Sequence, residues 1–482
     1  MTDMRTYRRR ATAAAAMVVL PLLTSVAAAA PATSFVLSVS HGFRTSDLPA
    51  GTHVVAQLSR VGAVQVTAPA SSVSRLARTP GVRGVRPDFA LHTTSDSAST
   101  TGGVLAPDAV GGAAGSAGAG RGVVVAVLDS GVEDTAALTR SSKRLYRGPD
   151  FTGTSSGARD AFGHGTFMAN LIAGGAVDGN VIGVAPAATV LDVKVAKADG
   201  STNLSTVLKG LNWVADKASD YSGPAVVSLS LGAARPTDGY GSDPLTDACD
   251  SIQKAGVTVV TASGNDASQV SDPGQDPQLF TIGAADTSGA GPVVAGFSGR
   301  GTPAGMRKPD VVASGVHMLS ILPSGSAIAQ ANPASRLGKL YRGSGTSQAT
   351  AVAAGAVAAF LTGRSGVSPQ DIRASFGTAA RDLPGEGDGY GLLVIPTTLV
   401  DGDAGLAPQQ PATNPDGSPN PQASSWASTS WSSTSWSSTS WSSTSWSSTS
   451  WSSTSWSSTS WSSTSWSSTS WSSTSWSASS WS

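Results

Sequence analysis

From residue 121 to residue 400 the chain alternates short apolar, β-branched runs with segments of helical spacing, and few folds accommodate that pattern. The runs at 123–128, 190–195, 225–231, 258–262 and 280–284 are predominantly apolar and β-rich, so they call for cover on both faces. Helical patterns fall at 164–173, 204–218, 244–255, 347–361 and 368–376. Strands buried on both sides and separated by helices predict an α/β domain, a parallel sheet with helices on both faces. In such sheets functional groups collect just beyond the carboxyl ends of strands. Asp129 follows the run 123–128, and Asn265 comes soon after 258–262.

The flanks read differently. Residues 1–32 open with Arg5, Arg8, Arg9 and Arg10, continue into an Ala-rich apolar stretch and end in small residues, the pattern of a cleaved export signal. The competing reading is a membrane anchor, but Pro21, Thr24 and Ser25 interrupt the run. The expected location is therefore outside the cell. Residues 33–93 form a small α+β unit with strand-like patterns at 34–39, 53–58 and 82–89 and a helical one at 68–78. Residues 94–120 are a Ser-, Thr-, Gly- and Ala-rich linker leading into the large domain at 121–400. A single cysteine, Cys249, excludes an intramolecular disulfide, so the fold must rest on its apolar core; Cys249 itself reads as a small buried hydrophobe.

After a Pro- and Asn-containing linker at 401–425, residues 426–482 repeat Trp-Ser-Ser-Thr-Ser. Five is odd, so one continuous strand would send successive Trp residues to opposite faces, and a continuous helix would rotate each by about 140° from the last. Neither gathers the indoles, and hydroxyl-rich spacers build no core, so the tail is expected to be disordered. Its indoles and O-glycosylatable spacers leave a second role open, contact with a cell wall or membrane surface. With 31 basic and 31 acidic residues the net charge is zero, which provides no basic field for nucleic acid.

Three segments carry the chemistry. Asp129 closes a buried strand before Ser130-Gly131; His164 lies in Gly163-His164-Gly165-Thr166 at a helix start; Ser347 follows Gly343-Ser344-Gly345-Thr346 and opens an apolar helix. A serine hydroxyl is a poor nucleophile at neutral pH and needs a base, and the base needs a carboxylate to hold its tautomer. The other histidine of the large domain, His317, has the context of an ordinary strand or turn residue. Each segment also has a plain alternative: Asp129 as a turn cap, Ser347 as a helix cap, Asn265 as a turn asparagine. The order Asp, His, Ser is not the triad order of lipases and esterases, and the chain lacks the paired histidines of metalloproteases.

Taken together these segments resemble the subtilisin-like serine peptidases over about residues 105–400. Supporting stretches are Gly183-Val184-Ala185-Pro186, Ser228-Leu229-Ser230-Leu231-Gly232, Phe297-Ser298-Gly299-Arg300-Gly301 and Lys308-Pro309-Asp310-Val311-Val312. The resemblance implies a subtilisin-like fold and a serine endopeptidase acting on protein or peptide substrate. It implies Asp129, His164 and Ser347 as the catalytic triad and Asn265 as an oxyanion donor. Ser230, Leu231 and Gly232 match a strand that pairs with extended substrate, and Ala262, Ser263 and Gly264 match a wall of the primary pocket.

The small unit resembles the family's inhibitory propeptide, a ferredoxin-like module. That implies a partner within the chain, cut off between about residues 91 and 103. No cofactor or metal is expected, because the turn Asp178-Gly179-Asn180-Val181-Ile182-Gly183 is too short for the calcium loop of calcium-binding relatives. Departures such as Phe167-Met168-Ala169-Asn170 and Gln348-Ala349 keep helix-compatible packing. The segment Ser271-Asp272-Pro273-Gly274-Gln275-Asp276 leaves two readings: a carboxylate near the pocket favouring a basic side chain, or a solvated loop.

Overall fold

The computed structural model describes residues 32–93, 102–154, 159–220, 223–233, 240–241, 243–289, 291–301, 307–384 and 386–402, with short pieces of the repeat between 430 and 478. The expected leader, apart from residue 32, and the start of the first linker lie outside the described residues.

The N-terminal unit is an antiparallel sheet of β1 (Ala32–Val39), β2 (His53–Leu58), β3 (Ala63–Pro69) and β4 (Val82–Pro87) in the order β4-β1-β3-β2. Alternation along β1 divides its side chains between two cores. Phe35 and Leu37 meet Val64, Val66, Leu76 and Val85 on one face. Val36 on the other joins Val61 and Leu91 of its own unit and Leu204, Leu245 and Ile252 of the large domain. The helix read at 68–78 is shorter than expected: strand β3 runs to Pro69, and α1 spans only Val73–Leu76. At Ala68 and Pro69 pairing with Thr33 and Ala32 of β1 keeps the chain extended, and the helical path starts only after Pro69. A further strand, β5 (Ala90–Thr93), leaves this unit and enters the large domain.

The large domain carries an eight-stranded sheet. Its strands are β6 (Val124–Asp129), β7 (Leu145–Asp150), β8 (Thr189–Lys194), β10 (Ala225–Leu229), β13 (Thr258–Ala262), β14 (Phe280–Asp286), β15 (Val293–Val294) and β16 (Val311–Ser314). The order is β15-β14-β13-β10-β6-β8-β7 with β16 beside β14, and every pairing is parallel except that of β15. Among the short strands outside it are β9 (Ser201–Asn203), β11 (Leu231–Gly232) and β12 (Tyr240–Gly241). One face of the sheet is covered by α2 (His164–Ala173), α5 (Thr346–Phe360) and α6 (Pro369–Ala379), the other by α3 (Leu204–Lys217) and α4 (Pro244–Lys254). Helix α5 is buried along its whole length and reads accordingly as Ala, Val and Gly with no charge. Cys249 on α4 is fully buried, and burial pushes its thiol well above the ordinary range, as suits a packing residue.

In the repeat, three- and four-residue strands pair in parallel with strands twenty residues further on: Trp431 with Trp451, Trp451 with Trp471, and Trp436 with Trp456. This register differs from both alternatives weighed for a continuous strand or helix. Trp positions align in register from one paired strand to the next.

Candidate active site

The carboxyl end of β6 delivers Asp129 into the interior, 1% exposed. His164, equally buried, opens α2, and its Nδ1 lies 2.8 Å from both carboxylate oxygens of Asp129. Asp129 Oδ1 also accepts the Ser130 amide at 2.7 Å. A carboxylate that only accepts requires Nδ1 to carry the proton, which leaves Nε2 with its lone pair. Nε2 is buried and has no hydrogen-bond partner among the described residues, the state of a base awaiting a donor.

Glycine makes the approach feasible. A Cβ on Gly165 would fall 2.2 Å from the Gly131 carbonyl oxygen and 3.1 Å from Asp129 Cβ, so a larger residue would push the helix start away from the strand end.

Asp160 holds the same junction and was not singled out in the sequence. Its buried carboxylate accepts Ser130 Oγ at 2.8 Å and the Gly163 amide at 2.7 Å through Oδ1. Through Oδ2 it accepts the Thr166 amide at 2.8 Å and Thr166 Oγ1 at 2.6 Å. Burial raises its carboxyl above the ordinary range while these four donors pull it down. Ser130 Oγ in turn accepts the Gly165 amide at 2.9 Å. Lys194, at the end of β8, donates to the Ser130 carbonyl and, at 3.0 Å, to that of Ala196; burial depresses its ammonium. The legible signal for this layer was adjacency: Ser130 and Thr166 flank the motif residues, whereas Asp160 and Lys194 arrive from other segments.

Ser347 lies in the first turn of α5, where free amides favour negative charge. Its hydroxyl donates to the Ser230 carbonyl at 3.1 Å, and Ser230 Oγ donates back to the Ser347 carbonyl at 3.3 Å. Asn265 is tied to the same turn: its Oδ1 accepts the Thr346 amide at 2.9 Å and Thr346 Oγ1 at 2.8 Å. That fixes the amide flip and turns the NH₂ end away from Thr346. A cavity of about 330 Å³ is lined by His164, Phe167 and Met168 of α2 and by Gln348, the residue after Ser347. The fold thus pairs Asp129 with His164, ties Asn265 to Thr346 beside Ser347, and brings His164 and Gln348 to the wall of one cavity.

The cleft already holds a strand. β5 runs antiparallel between β9 and β11: Thr202 faces Leu91, Ser201 faces His92, Gly232 faces His92 and Leu231 faces Thr93. Leu91 is fully buried, and His92 and Thr93 line the cavity beside His164. Leu231 and Gly232 thus make the extended pairing expected of them, with the chain's own segment as guest. Neither reading of the 271–276 segment fits Asp272. It is 1% exposed rather than solvated, and its Oδ1 accepts Thr246 Oγ1 of α4 at 3.3 Å.

Residues 120–393 match the model of the Subtilase family. The serine protease AprX of Bacillus subtilis (strain 168) is 33% identical over 268 residues, 53% of this chain and 60% of that protein's own length. Subtilisin BL of Lederbergia lenta is 37% identical over 240 residues, 50% of this chain and 76% of its own length. The crystal structure of fervidolysin from Fervidobacterium pennivorans, a keratinolytic enzyme related to subtilisin, superposes with a TM-score of 0.58 at 23% identity. That match covers 76% of this chain and 60% of the other, and it bears on the fold. Fold and sequence agree, and the chain belongs to the subtilase family of serine endopeptidases.

Proposed function

We propose that the chain is a secreted serine endopeptidase made as a precursor that cuts itself, with residues 33–93 as an inhibitory propeptide and residues 121–400 as the catalytic domain. The observation that carries this reading is β5: the chain's own extended segment lies between β9 and β11 and ends at Thr93, which lines the cavity with His164. Ser347 Oγ attacks the carbonyl of the bond to be cut while His164 Nε2 takes its proton, and Asp129 steadies the imidazolium that forms. The Asn265 amide and the Ser347 backbone N–H stabilise the oxyanion. His164 then returns the proton to the leaving amine, and water, activated by the same imidazole, clears the acyl group. Backbone pairing with Ser230-Leu231-Gly232 reads the shape of the guest, and the wall Ala262-Ser263-Gly264 bounds its side chain.

Labelling with a fluorophosphonate tests the assignment. Wild type is expected to incorporate the probe and Ser347→Ala none; equal incorporation in both defeats the reading. Asn265→Ala is expected to lower kcat by about 10²–10³-fold with little change in KM, the scale known for the equivalent donor in a subtilisin. Steady-state kinetics on an unconstrained peptide check it.

The propeptide is held by more than β5. Asp88 accepts the Ser205 amide and Ser205 Oγ, both at 2.8 Å, at the start of α3. Arg86 meets Asp243 at 3.5 Å with both side chains buried, and β12 adds Tyr240 and Gly241 to the edge of β4. Asp88→Ala removes a cap worth about 0.5–2 kcal/mol. Activity is expected to appear about 2- to 30-fold sooner after self-cleavage, read as the lag before a fluorogenic peptide is cut.

The leader at 1–32 directs export, and the repeat at 426–482 is assigned to contact with a cell-wall or membrane surface. A tail-deleted enzyme that binds such material as well as the full chain removes that assignment.

A further inference from the structure

We infer that the repeat tail is a self-pairing surface: its open strand edges bind the tail of a second copy of this chain, one edge to the opposite edge, and join molecules into rows. The inference is independent of the catalytic reading and names a partner beyond the surface contact assigned to the tail.

One ladder runs Ser430–Ser433, Ser450–Ser453, Trp471–Ser473, in parallel and without slip. Trp431 faces Trp451, Trp451 faces Trp471, and each paired Ser faces a Ser. A second ladder, Trp436–Ser438, Trp456–Ser458, Trp476–Ala478, repeats it five residues on. Two further pairs, starting at Trp441 and Trp446, keep the same step of twenty. Since the step is a whole number of pentapeptides, each rung carries the sequence of the rung before it. Among the described residues nothing pairs with the outer edge of Ser430–Ser433 or of Trp471–Ser473. Such an edge is a row of backbone donors and acceptors, a template for another strand. The strand that fits the first rung is the last rung of another copy, which continues direction and register unchanged. The two edges differ from each other, so the contact is head-to-tail and does not close on itself.

The tail's composition favours a copy of itself over an unrelated partner. Strands of three or four residues in ladders of two or three are marginal alone, and every added rung supports its neighbours. Sheets normally guard an edge with Lys, Pro or a bulge. From Ala423 to Ser482 the chain holds only Trp, Ser, Thr and Ala, so neither charge nor proline guards these edges. Identical uncharged segments stacked in parallel register are the arrangement in which backbone pairing between chains is strongest. With no charge, the tail has no field to select an acidic or basic partner.

The test uses the full-length Ser347→Ala chain, to avoid self-cleavage, in sedimentation velocity at rising concentration. Species larger than the single chain are expected to grow with concentration. Raising the salt from about 0.1 M to about 1 M cuts the reach of charge from about 10 Å to about 3 Å and is expected to leave them intact. A second full-length chain carries Pro for the Ser after Trp in every paired strand, from Ser432→Pro to Ser477→Pro. It is expected to lose assembly, because each Pro removes an amide donor, while thermal unfolding of the globular part stays the same.

Register is read by mixing a Ser432→Cys chain with a Ser472→Cys chain and adding a short bis-maleimide. Residue 432 of one copy then lies one strand spacing, about 4.8 Å, from residue 472 of the next, whereas like positions are about 14 Å apart. A covalent dimer is expected from the mixture and is lost with either chain alone; Cys249 is fully buried and adds no reactive thiol. A single species at every concentration overturns the inference. So does assembly that survives the Pro substitutions or dissolves in salt, or a dimer as abundant in one Cys chain as in the mixture. Absence of fluorophosphonate label at Ser347 in the wild-type chain strikes the proposed function and leaves this inference standing.

Discussion

Replacing Ser347 or His164 by Ala is expected to lower kcat by about 10⁶-fold and to leave the precursor uncut, the scale known from subtilisin itself. The two substitutions should cost nearly the same, and the double variant little more. A hydroxyl without an acceptor for its proton and an imidazole without a hydroxyl are equally idle. Asp129→Asn is expected to cost about 10⁴-fold, because the Asn side chain can offer an N–H to Nδ1 and drive the proton onto Nε2, the atom that must accept. His164 Nδ1 is within 2.8 Å of both carboxylate oxygens, so either oxygen becoming an NH₂ group disturbs the pair. Turnover of a peptide, normalised to folded protein by circular dichroism, measures the loss. The mass of the purified chain reports self-cleavage. A Ser347→Ala chain that still matures without added protease would show that another group cuts the linker.

Asp310→Ala is expected to destabilise the catalytic domain by about 3–5 kcal/mol, the cost of leaving buried charge unpaired. Asp310 is buried and faces two cations: Lys308 Nζ at 2.7 Å from Oδ2 and Arg373 Nε at 2.8 Å from Oδ1. Lys308 is further held by the Leu279 carbonyl at 2.8 Å and Thr281 Oγ1 at 3.1 Å. The group ties β16 and α6 to β14, behind the sheet edge that carries Asn265 on its neighbour.

Removing the anion strands both cations, while Lys308→Met keeps the Asp310–Arg373 pair and should cost less. Burial depresses the Lys308 ammonium from 10.5 to about 8. Its charged form is therefore disfavoured in the folded state, and between about pH 8 and 10.5 the unfolded chain holds more of this proton. The contribution of Lys308 to stability rises with pH across that window, and Lys308→Met should flatten the rise. Denaturant unfolding in the Ser347→Ala background, which avoids autolysis, measures both effects.

Much of this arrangement was legible in the sequence because most core strands are predominantly apolar and the helices are long. β6, β13 and α2 coincide with the expected segments to within a residue, and the catalytic candidates stand at their ends. β7 escaped notice because Leu145-Tyr146-Arg147-Gly148-Pro149-Asp150 sits at the sheet edge, where one apolar residue is enough and polar neighbours face water. In the N-terminal unit the short helix lost its first residues to β3, since Ala68 and Pro69 continue the ladder with β1.

The supporting layer around the site was invisible for another reason. Asp160, Lys194 and Thr346 act through the fold, and nothing in their local sequence distinguishes them from surface residues. The pocket floor misled for the same reason: a carboxylate next to a specificity loop invites a charge argument, and only the path of the backbone turns Asp272 toward Thr246.

When β5 departs, β9 and β11 are left facing one another across a slot one strand wide, each with a row of unmet amides and carbonyls. A visitor must satisfy both rows at once, so it has to arrive fully stretched. Helices and intact sheets cannot enter, nor can a segment with proline at an inward-donating position. On the proposed reading a substrate is therefore chosen first by how loosely it is folded, and frayed ends, long loops and already damaged proteins are the material such a slot admits.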